Sequence, residues 1–251
     1  MIAKRRKHSR EDAATRQAGS SGQVAGVEET ERLPVILVAS SAAFVFVFSQ
    51  VAALVFTGNA RGFDEWLLLA FRVPGDTATP IGPAWLVDTA RDFTALGSTG
   101  VVVFIVVLAA LFLILTRKFS TAAYVIAAAA LGTLLNNLLK VGFARPRPDI
   151  VAHSVEVQTA SFPSGHSMMS AVVYLTLGML LARSQADRRV KIFVITVSGL
   201  LTLLIGVSRV YLGVHWPTDV LAGWALGAGW ALLCWLLMLR LQNRSQLESD
   251  R

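Results

Sequence analysis

Residues 208–219 read SRVYLGVHWPTD and lie between two apolar runs, Ile192–Ser208 and Asp219–Leu239. Each run is close to the roughly 17–25 residues that an α-helix needs to cross a bilayer. The stretch between them carries an arginine, a histidine and an aspartate, and ionisable side chains at membrane depth are costly and usually functional. The pattern predicts two membrane helices whose connection carries chemistry.

The whole chain has the composition of a membrane protein. Hydrophobic residues make up 54% of its 251 residues and charged residues 16%, and the mean hydropathy is +0.58. Globular proteins average about 25% charged residues, so this balance excludes a disordered chain and argues against a soluble domain. We therefore expect an all-α polytopic membrane protein with six spans. In chain order the spans are Leu33–Gly58, Phe93–Thr116, Phe119–Leu139, Gly165–Ala182, Ile192–Ser208 and Asp219–Leu239.

The ends of the chain are polar. Residues 1–32 contain the basic run Lys4–Lys7 and are predicted to form a disordered cytoplasmic tail. Residues 33–240 are predicted to form the six-span domain, and residues 241–251 a second cytoplasmic tail.

The segment between the first two spans is expected to lie at the membrane surface. Phe63–Arg72 predicts a short interfacial helix, and the Pro and Gly residues of 74–83 separate it from a second short helix around Trp85–Phe93. Asp64 and Glu65 in this segment are interpreted as solvated or helix-capping side chains.

The basic residues indicate the orientation. Most of the 23 Lys and Arg residues lie in the tails and in two connections, at Arg117–Lys118 and at 183–191. The positive-inside rule places these segments, with both termini, in the cytoplasm. The other connections, including 208–219, then face the outer, periplasmic side of the inner (plasma) membrane.

Three polar clusters share that outer side, at 140–148, 161–167 and 208–219. Their basic residues have no carboxylates close by in sequence, and guanidinium groups match phosphate oxygens well. Ser164 and Gly165 begin the fourth span, and the free N–H groups at a helix N-terminus bind phosphate. For Arg145 the sequence predicts a contact either with phosphate or with lipid headgroups.

Two histidines are candidate catalysts. His215 and Asp219 are four residues apart, a spacing that places them on one face of a helix. The carboxylate is then able to accept the Nδ1 proton of His215, which leaves Nε2 free to attack phosphorus. His166 is available as the general acid.

The three clusters resemble the signature of the type 2 phosphatidic acid phosphatase and vanadium haloperoxidase superfamily, in its branch of bacterial integral membrane lipid phosphatases. That signature is a Lys followed after six residues by Arg-Pro, then Pro-Ser-Gly-His, then Ser-Arg, five residues, His, three residues and Asp. Every position is matched here, by Lys140, Arg147, Pro148, Pro163, Ser164, Gly165, His166, Ser208, Arg209, His215 and Asp219.

The resemblance implies a mechanism. His215 attacks phosphorus and forms a phosphohistidine, Asp219 orients His215, and His166 protonates the leaving oxygen. The phosphoryl oxygens are held by Lys140, Arg147, Ser164, Gly165 and Arg209. The family needs no divalent metal, so we expect no metal and no cofactor.

The resemblance leaves the substrate open. The expected partners are the bilayer and a lipid phosphate: undecaprenyl diphosphate, phosphatidylglycerol phosphate, phosphatidic acid or a lipid A phosphate. A lipid phosphotransferase of the same family is the first alternative, and a non-catalytic phosphate or lipid transporter the second. The placement of the basic residues fits membrane topology better than nucleic-acid binding. The oligomeric state is not predicted.

Overall fold

The computed structural model of the chain describes residues 34–155 and 159–249, with residues 243–249 as helical backbone only. The predicted tail 1–32 lies outside the described residues. By its internal contacts the chain falls into two compact units, with the boundary between Ala39 and Ser40. Residues 34–39 belong to the start of the first helix, and the unit that begins at Ser40 contains the other described residues.

The described residues form helices and one small hairpin. In chain order the elements are α1 (Pro34–Phe56), α2 (Arg61–Leu69), β1 (Arg72–Val73), β2 (Asp76–Pro80), α3 (Ala84–Leu96), α4 (Thr99–Leu115), α5 (Phe119–Phe143), α6 (Gly165–Ser184), α7 (Arg188–Tyr211) and α8 (Pro217–Ser249). The helical class predicted from sequence is confirmed. The helix α8 continues past residue 240, through the start of the predicted C-terminal tail.

Within the described ranges, five helices are each long and apolar enough to cross a membrane, namely α1, α5, α6, α7 and α8 up to Gln242. A sixth candidate is the pair α3 and α4, whose axes bend by 46° at a short break. The predicted second span, Phe93–Thr116, is therefore interrupted. At the break, Gly97 ends α3 and the Ser98 hydroxyl caps α4 by accepting from the Val101 N–H at 3.4 Å.

The helices α6 and α8 lie at the centre of the described unit. About half of the most apolar window of each is buried, against 17% for α7. Glycines allow their close approach: a Cβ on Gly223 would lie 2.7 Å from the Ser164 carbonyl oxygen, and one on Gly227 2.5 Å from that of Met168. Small residues at a helix contact let backbones pack directly against each other. This packing brings the start of α6 beside the start of α8.

The segment before α4 folds onto the C-terminal end of α7 and the N-terminal end of α8. Its strands β1 and β2 form an antiparallel hairpin that the sequence did not predict. The turn has Pro74 followed by Gly75 at φ 84°, the conformation that a type II turn requires. On α2, Leu68 is fully buried against Val210, Trp216 and Val220. Because α2 uses one face to pack on the protein, the segment is part of the folded unit.

Candidate active site

A cavity of about 430 Å³ opens where α5, α6 and α7 meet the connection before α8. Six of the predicted site residues line it: Lys140, Arg147, Gly165, His166, Arg209 and His215. Ser164 and Asp219 lie behind this lining and are fully buried. The structure thus gathers in one place residues that are up to 79 positions apart in the sequence, from Lys140 to Asp219.

The His215–Asp219 pair is built by the start of α8. Pro217 occupies the first helical position, where its missing N–H costs nothing. Two residues on, the Asp219 carboxylate reaches back so that Oδ2 accepts from the Trp216 N–H at 3.0 Å. His215 precedes the helix, so the expected placement on one helix face is wrong in detail. The loop nonetheless brings His215 Nδ1 to 3.3 Å from Asp219 Oδ2.

The contacts of His215 determine which nitrogen carries the proton. Arg147 Nη1 lies 3.2 Å from His215 Nε2. A guanidinium only donates hydrogen bonds, so Nε2 accepts here with its lone pair, and the proton is on Nδ1, facing Asp219. In this tautomer the nitrogen with the lone pair, Nε2, lies on the side of Arg147, which also lines the cavity.

The surroundings of His215 also keep the ring neutral. The residue lies in the connection between α7 and α8 and is 1% exposed. Burial lowers the pKa of His215 well below its ordinary value, and the positive charges of Arg209, Arg147 and Lys140 lower it further. A neutral imidazole is the form that can act as a nucleophile.

The first turn of α6 presents the second histidine. The Ser164 side chain caps this helix, accepting from the Ser167 N–H at 3.4 Å and from the Ser167 hydroxyl at 3.0 Å. Gly165 and His166 then follow as the first helical residues and line the cavity. Ser164 therefore holds the helix N-terminus in place, and its predicted direct contact with phosphate stays a prediction.

The cationic side of the cavity comes from two helix ends and from the loop that follows α5. Lys140 lies in the last turn of α5 and its Nζ donates to the Ala160 carbonyl. Arg209 lies in the last turn of α7, is 3% exposed, and donates from Nη1 to the Thr94 hydroxyl of α3 at 2.9 Å. Arg147 donates to the Val214 carbonyl at 2.5 Å and to the Thr159 carbonyl at 2.8 Å. All three side chains are fixed by protein groups while facing the cavity.

The sequence did not predict the pairing of Arg145, and the solvated alternative for Asp64 is wrong. Arg145 Nη1 lies 2.6 Å from Asp219 Oδ1 and its Nη2 lies 2.6 Å from Asp64 Oδ2, while its contact with phosphate or a headgroup stays a prediction. Asp64 is fully buried and not solvated. The carboxylates that balance Arg145 are distant in sequence, which is why the neighbourhood of the motif did not reveal them.

Two further residues belong to the site although the sequence analysis gave them no role. The Ser161 hydroxyl donates to Asp219 Oδ2 and lies 3.4 Å from His215 Nδ1. Asn136 lines the cavity one turn before Lys140 and is 5% exposed. Its Oδ1 has no hydrogen-bond partner among the described residues, and its Nδ2 would lie 3.2 Å from a Cβ on Gly165. Its spacing of four from Lys140 was the available signal.

The acidic and histidine side chains of the described residues form no group of three or more placed to hold a metal ion. The positive charges that face the cavity belong to the protein itself, and fixed cations of this kind stabilise a transferring phosphoryl group. The absence of a metal requirement stays a prediction.

Comparison with known proteins places this site in a family. The PAP2 superfamily model matches residues 121–243. Phosphatidylglycerophosphatase B of Bacillus subtilis (strain 168) is 34% identical over 185 residues, which cover 73% of this chain and 87% of that protein. The chain belongs to the PAP2 superfamily. The resemblance drawn from the three motifs is thereby confirmed.

Two other PAP2 proteins extend the comparison. Lipid A 1-phosphatase of Rhizobium johnstonii is 32% identical over 137 residues, covering 51% of this chain and 52% of that protein. The crystal structure of a transmembrane PAP2-type phosphatidylglycerolphosphate phosphatase from Bacillus subtilis superposes with a TM-score of 0.71 at 31% identity. That match covers 78% of this chain and 94% of the other, so the helical arrangement is that of a PAP2 membrane phosphatase.

Proposed function

We propose that this protein is a membrane lipid phosphatase that removes the terminal phosphate of a phosphatidylglycerol phosphate-type lipid through a phosphohistidine on His215. The similarity to a phosphatidylglycerophosphatase over most of both chains supports this substrate class. The observation that carries the mechanism is the contact of His215 Nε2 with Arg147, at 3.2 Å, while Nδ1 faces Asp219.

In the first step Arg147 Nη1 leaves Nε2 for a phosphoryl oxygen, and the freed lone pair of His215 Nε2 attacks phosphorus. The Nε2–P bond forms and the bond from phosphorus to the lipid oxygen breaks. His166, which enters the step as an imidazolium because the phosphate bound beside it is anionic, gives that oxygen its proton. The phosphorylated ring carries a positive charge with the proton still on Nδ1, and the Asp219 carboxylate stabilises it. Lys140, Arg147 and Arg209, with the backbone of Gly165, bind the phosphoryl oxygens.

In the second step water replaces the histidine. His166, now without its proton, accepts one from the water, whose oxygen bonds to phosphorus as the Nε2–P bond breaks. Inorganic phosphate leaves and His215 returns to its neutral form. Binding by fixed cations supplies what a metal supplies in other phosphatases, so turnover is expected to continue in EDTA.

The cavity also suggests how the lipid is received. Away from its charged end it is lined by Val102 and Val103 of α4, Thr133 of α5 and Met169 of α6. We propose that the lipid part lies along this less polar end and that Asn136, between the two ends, donates from its amide to the phosphoryl group. The place of Asn136 in the cavity lining, one helical turn before Lys140, supports this contact.

The site is proposed to face the outer side of the membrane. The basic residues Arg117 and Lys118, and those of 183–191, lie at the opposite ends of the helices and are exposed. This distribution supports the orientation that the positive-inside rule predicts, with the termini in the cytoplasm.

The test is phosphate release by the detergent-purified protein in excess EDTA. The lipids are phosphatidylglycerol phosphate, phosphatidic acid, undecaprenyl diphosphate and lipid A 1-phosphate. We expect release, fastest from phosphatidylglycerol phosphate, and a rate at least about 1,000-fold lower in His215→Ala. A rapid quench into alkaline detergent with labelled substrate should trap a phosphoenzyme in the wild type that is stable in base and loses its label on later treatment with acid.

The matched control is His153→Ala, because His153 is exposed and lies outside the cavity lining. It should keep wild-type turnover. Full activity in His215→Ala would exclude the phosphohistidine. Activity lost in EDTA and restored by Mg²⁺ would exclude the metal-free mechanism, and phosphate transfer to an acceptor lipid without release would identify a phosphotransferase.

A further inference from the structure

Asp219 is held on both of its oxygens. Its Oδ2 lies 3.3 Å from His215 Nδ1. The same oxygen accepts from the Trp216 N–H at 3.0 Å and from the Ser161 hydroxyl. Its Oδ1 accepts from Arg145 Nη1 at 2.6 Å. Arg145 lies outside the family signature, yet it is the cation in contact with the carboxylate that orients the nucleophile.

Arg145 is itself held by a second carboxylate. Asp64 on α2 accepts from Arg145 Nη2 at 2.6 Å through Oδ2. The same carboxylate accepts from the Thr218 N–H at 2.8 Å and from the Thr218 hydroxyl at 2.7 Å. Because Thr218 immediately precedes Asp219, Asp64 fixes both the guanidinium and the backbone next to the orienting residue.

This bridge is protected from water. Asp64 and Asp219 are completely buried, and the Arg145 side chain is 15% exposed with its guanidinium 5.5 Å from the centre of the Trp216 ring. A planar guanidinium is able to serve two carboxylates at once in fixed geometry, whereas a lysine ammonium lacks the fork that this requires. Without the arginine, two buried carboxylates would face each other unpaired.

We propose that Arg145 and Asp64 are positioning residues for the nucleophile. Arg145 keeps Asp219 charged and in its observed rotamer, Asp64 keeps Arg145 and Thr218 in place, and Asp219 thereby holds the Nδ1 proton of His215 so that Nε2 points into the cavity. The inference rests on the proposed phosphohistidine mechanism. Through Asp64, the helix α2 then contributes to the chemical step.

The test compares Arg145→Gln, Arg145→Lys and the double variant Asp64→Asn/Arg145→Gln with the wild type. The measurements are kcat, KM, the rate of phosphoenzyme formation in a single turnover, and the thermal unfolding midpoint in detergent. We expect Arg145→Gln to slow phosphoenzyme formation and kcat by about 100-fold, the effect of a misplaced reacting group, with KM within about 3-fold of the wild type. Arg145→Lys should recover only part of this loss.

The double variant separates positioning from stability. Asp64→Asn removes one of the two unpaired carboxylates, so the unfolding midpoint should return toward that of the wild type while kcat stays low. Arg61→Gln and Glu65→Gln are the controls, since this pair lies on the same helix but is exposed. Both should behave as wild type, as expected of a surface ion pair.

The outcomes distinguish this inference from the proposed function. A wild type that forms no phosphohistidine overturns both. A wild type that forms one, with Arg145→Gln forming it equally fast, overturns the positioning role alone. Recovery of kcat together with the unfolding midpoint in the double variant would make the bridge purely structural, and a large rise in KM at unchanged kcat would make Arg145 a substrate-binding residue.

Discussion

The backbone N–H of Ser164 donates to the backbone carbonyl of Asp219 at 3.0 Å. This hydrogen bond joins the residue that caps α6 to the residue that orients His215. The two histidines therefore belong to helix starts that are fastened to each other through the main chain. The distance between His215 and His166 then depends on how closely α6 and α8 pack.

The first prediction concerns this packing. Gly223→Ala would place a Cβ 2.7 Å from the Ser164 carbonyl oxygen and 3.1 Å from the Met168 nitrogen, and because both are backbone atoms the helices must separate. We expect kcat to fall by about 10- to 100-fold, since a small displacement of catalytic groups is enough for such a loss. Phosphate release in detergent is the measurement.

The control is Gly199→Ala on α7, where a Cβ would meet nothing within 4 Å. It should keep full activity and stabilise the helix by up to about 1 kcal/mol. Equal activity in Gly223→Ala and Gly199→Ala would show that the spacing of α6 and α8 has no role in catalysis.

The second prediction concerns pH. Burial, Arg209, Arg147 and Lys140 lower the pKa of His215, so the ring stays neutral as the pH falls through the ordinary histidine value of about 6.5. Arg147→Gln removes one of these causes and raises the pKa. The nucleophile is then protonated at a higher pH, so the acidic limb of kcat/KM should shift to higher pH than in the wild type.

The substrate phosphate also titrates in this range, with a second pKa of about 6, but it contributes equally to both profiles. Only the difference between variant and wild type reports on His215. Arg91→Gln, which changes an exposed arginine paired with Asp88, should leave the profile in place. An unchanged or downward-shifted limb in Arg147→Gln would contradict the electrostatic role.

The third prediction concerns Asn136. If its amide donates to the phosphoryl group, Asn136→Leu should raise KM by about 10-fold, the cost of one hydrogen bond to a charged group. Gln50→Leu is the matched control, because Gln50 is an exposed amide on α1 that lies outside the cavity lining. The measurement is steady-state kinetics with phosphatidylglycerol phosphate as substrate. Equal KM values for the two variants would show that Asn136 does not bind the phosphoryl group.

The sequence predicted which residues share the cavity better than it predicted the ends of the helices. Spacing within each motif is local, so Lys140, His166, Arg209 and His215 could be identified from the motifs alone. Hydropathy identifies only the apolar part of a helix. For this reason the run that ends at Leu139 missed the last turn of α5, which contains Lys140, and the run that begins at Ile192 missed the basic start of α7.

What the sequence could not reveal are pairs that form across long separations. Asp64 precedes Arg145 by 81 residues, and nothing in the pattern of α2 distinguishes a buried carboxylate from an exposed one such as Glu65. The interruption of the second span likewise depends on packing. A Cβ on Gly97 would lie 2.5 Å from a methyl carbon of Ile205 and 3.3 Å from His166, contacts that no local pattern contains.

The fourth prediction concerns orientation. Thr77 is exposed in the β2 strand, and Ala186 is exposed in the connection between α6 and α7. In a Cys234→Ala background, a membrane-impermeant maleimide should label Thr77→Cys in intact cells and Ala186→Cys only after lysis. Labelling in the opposite order would place the active site on the cytoplasmic side.

The family model begins at residue 121, and all the signature residues follow it. The segment between α1 and α4 nevertheless binds one signature residue and three neighbours of signature residues. Thr94 binds Arg209, Asp64 binds Arg145 and Thr218, and Arg72 donates to the Tyr211 carbonyl at the end of α7. A fragment that starts at residue 121 would contain every signature residue and still be inactive. Co-expression with the fragment 1–120 should restore turnover by complementation. The minimal catalytic unit is therefore expected to be larger than the part of the chain that carries the motifs.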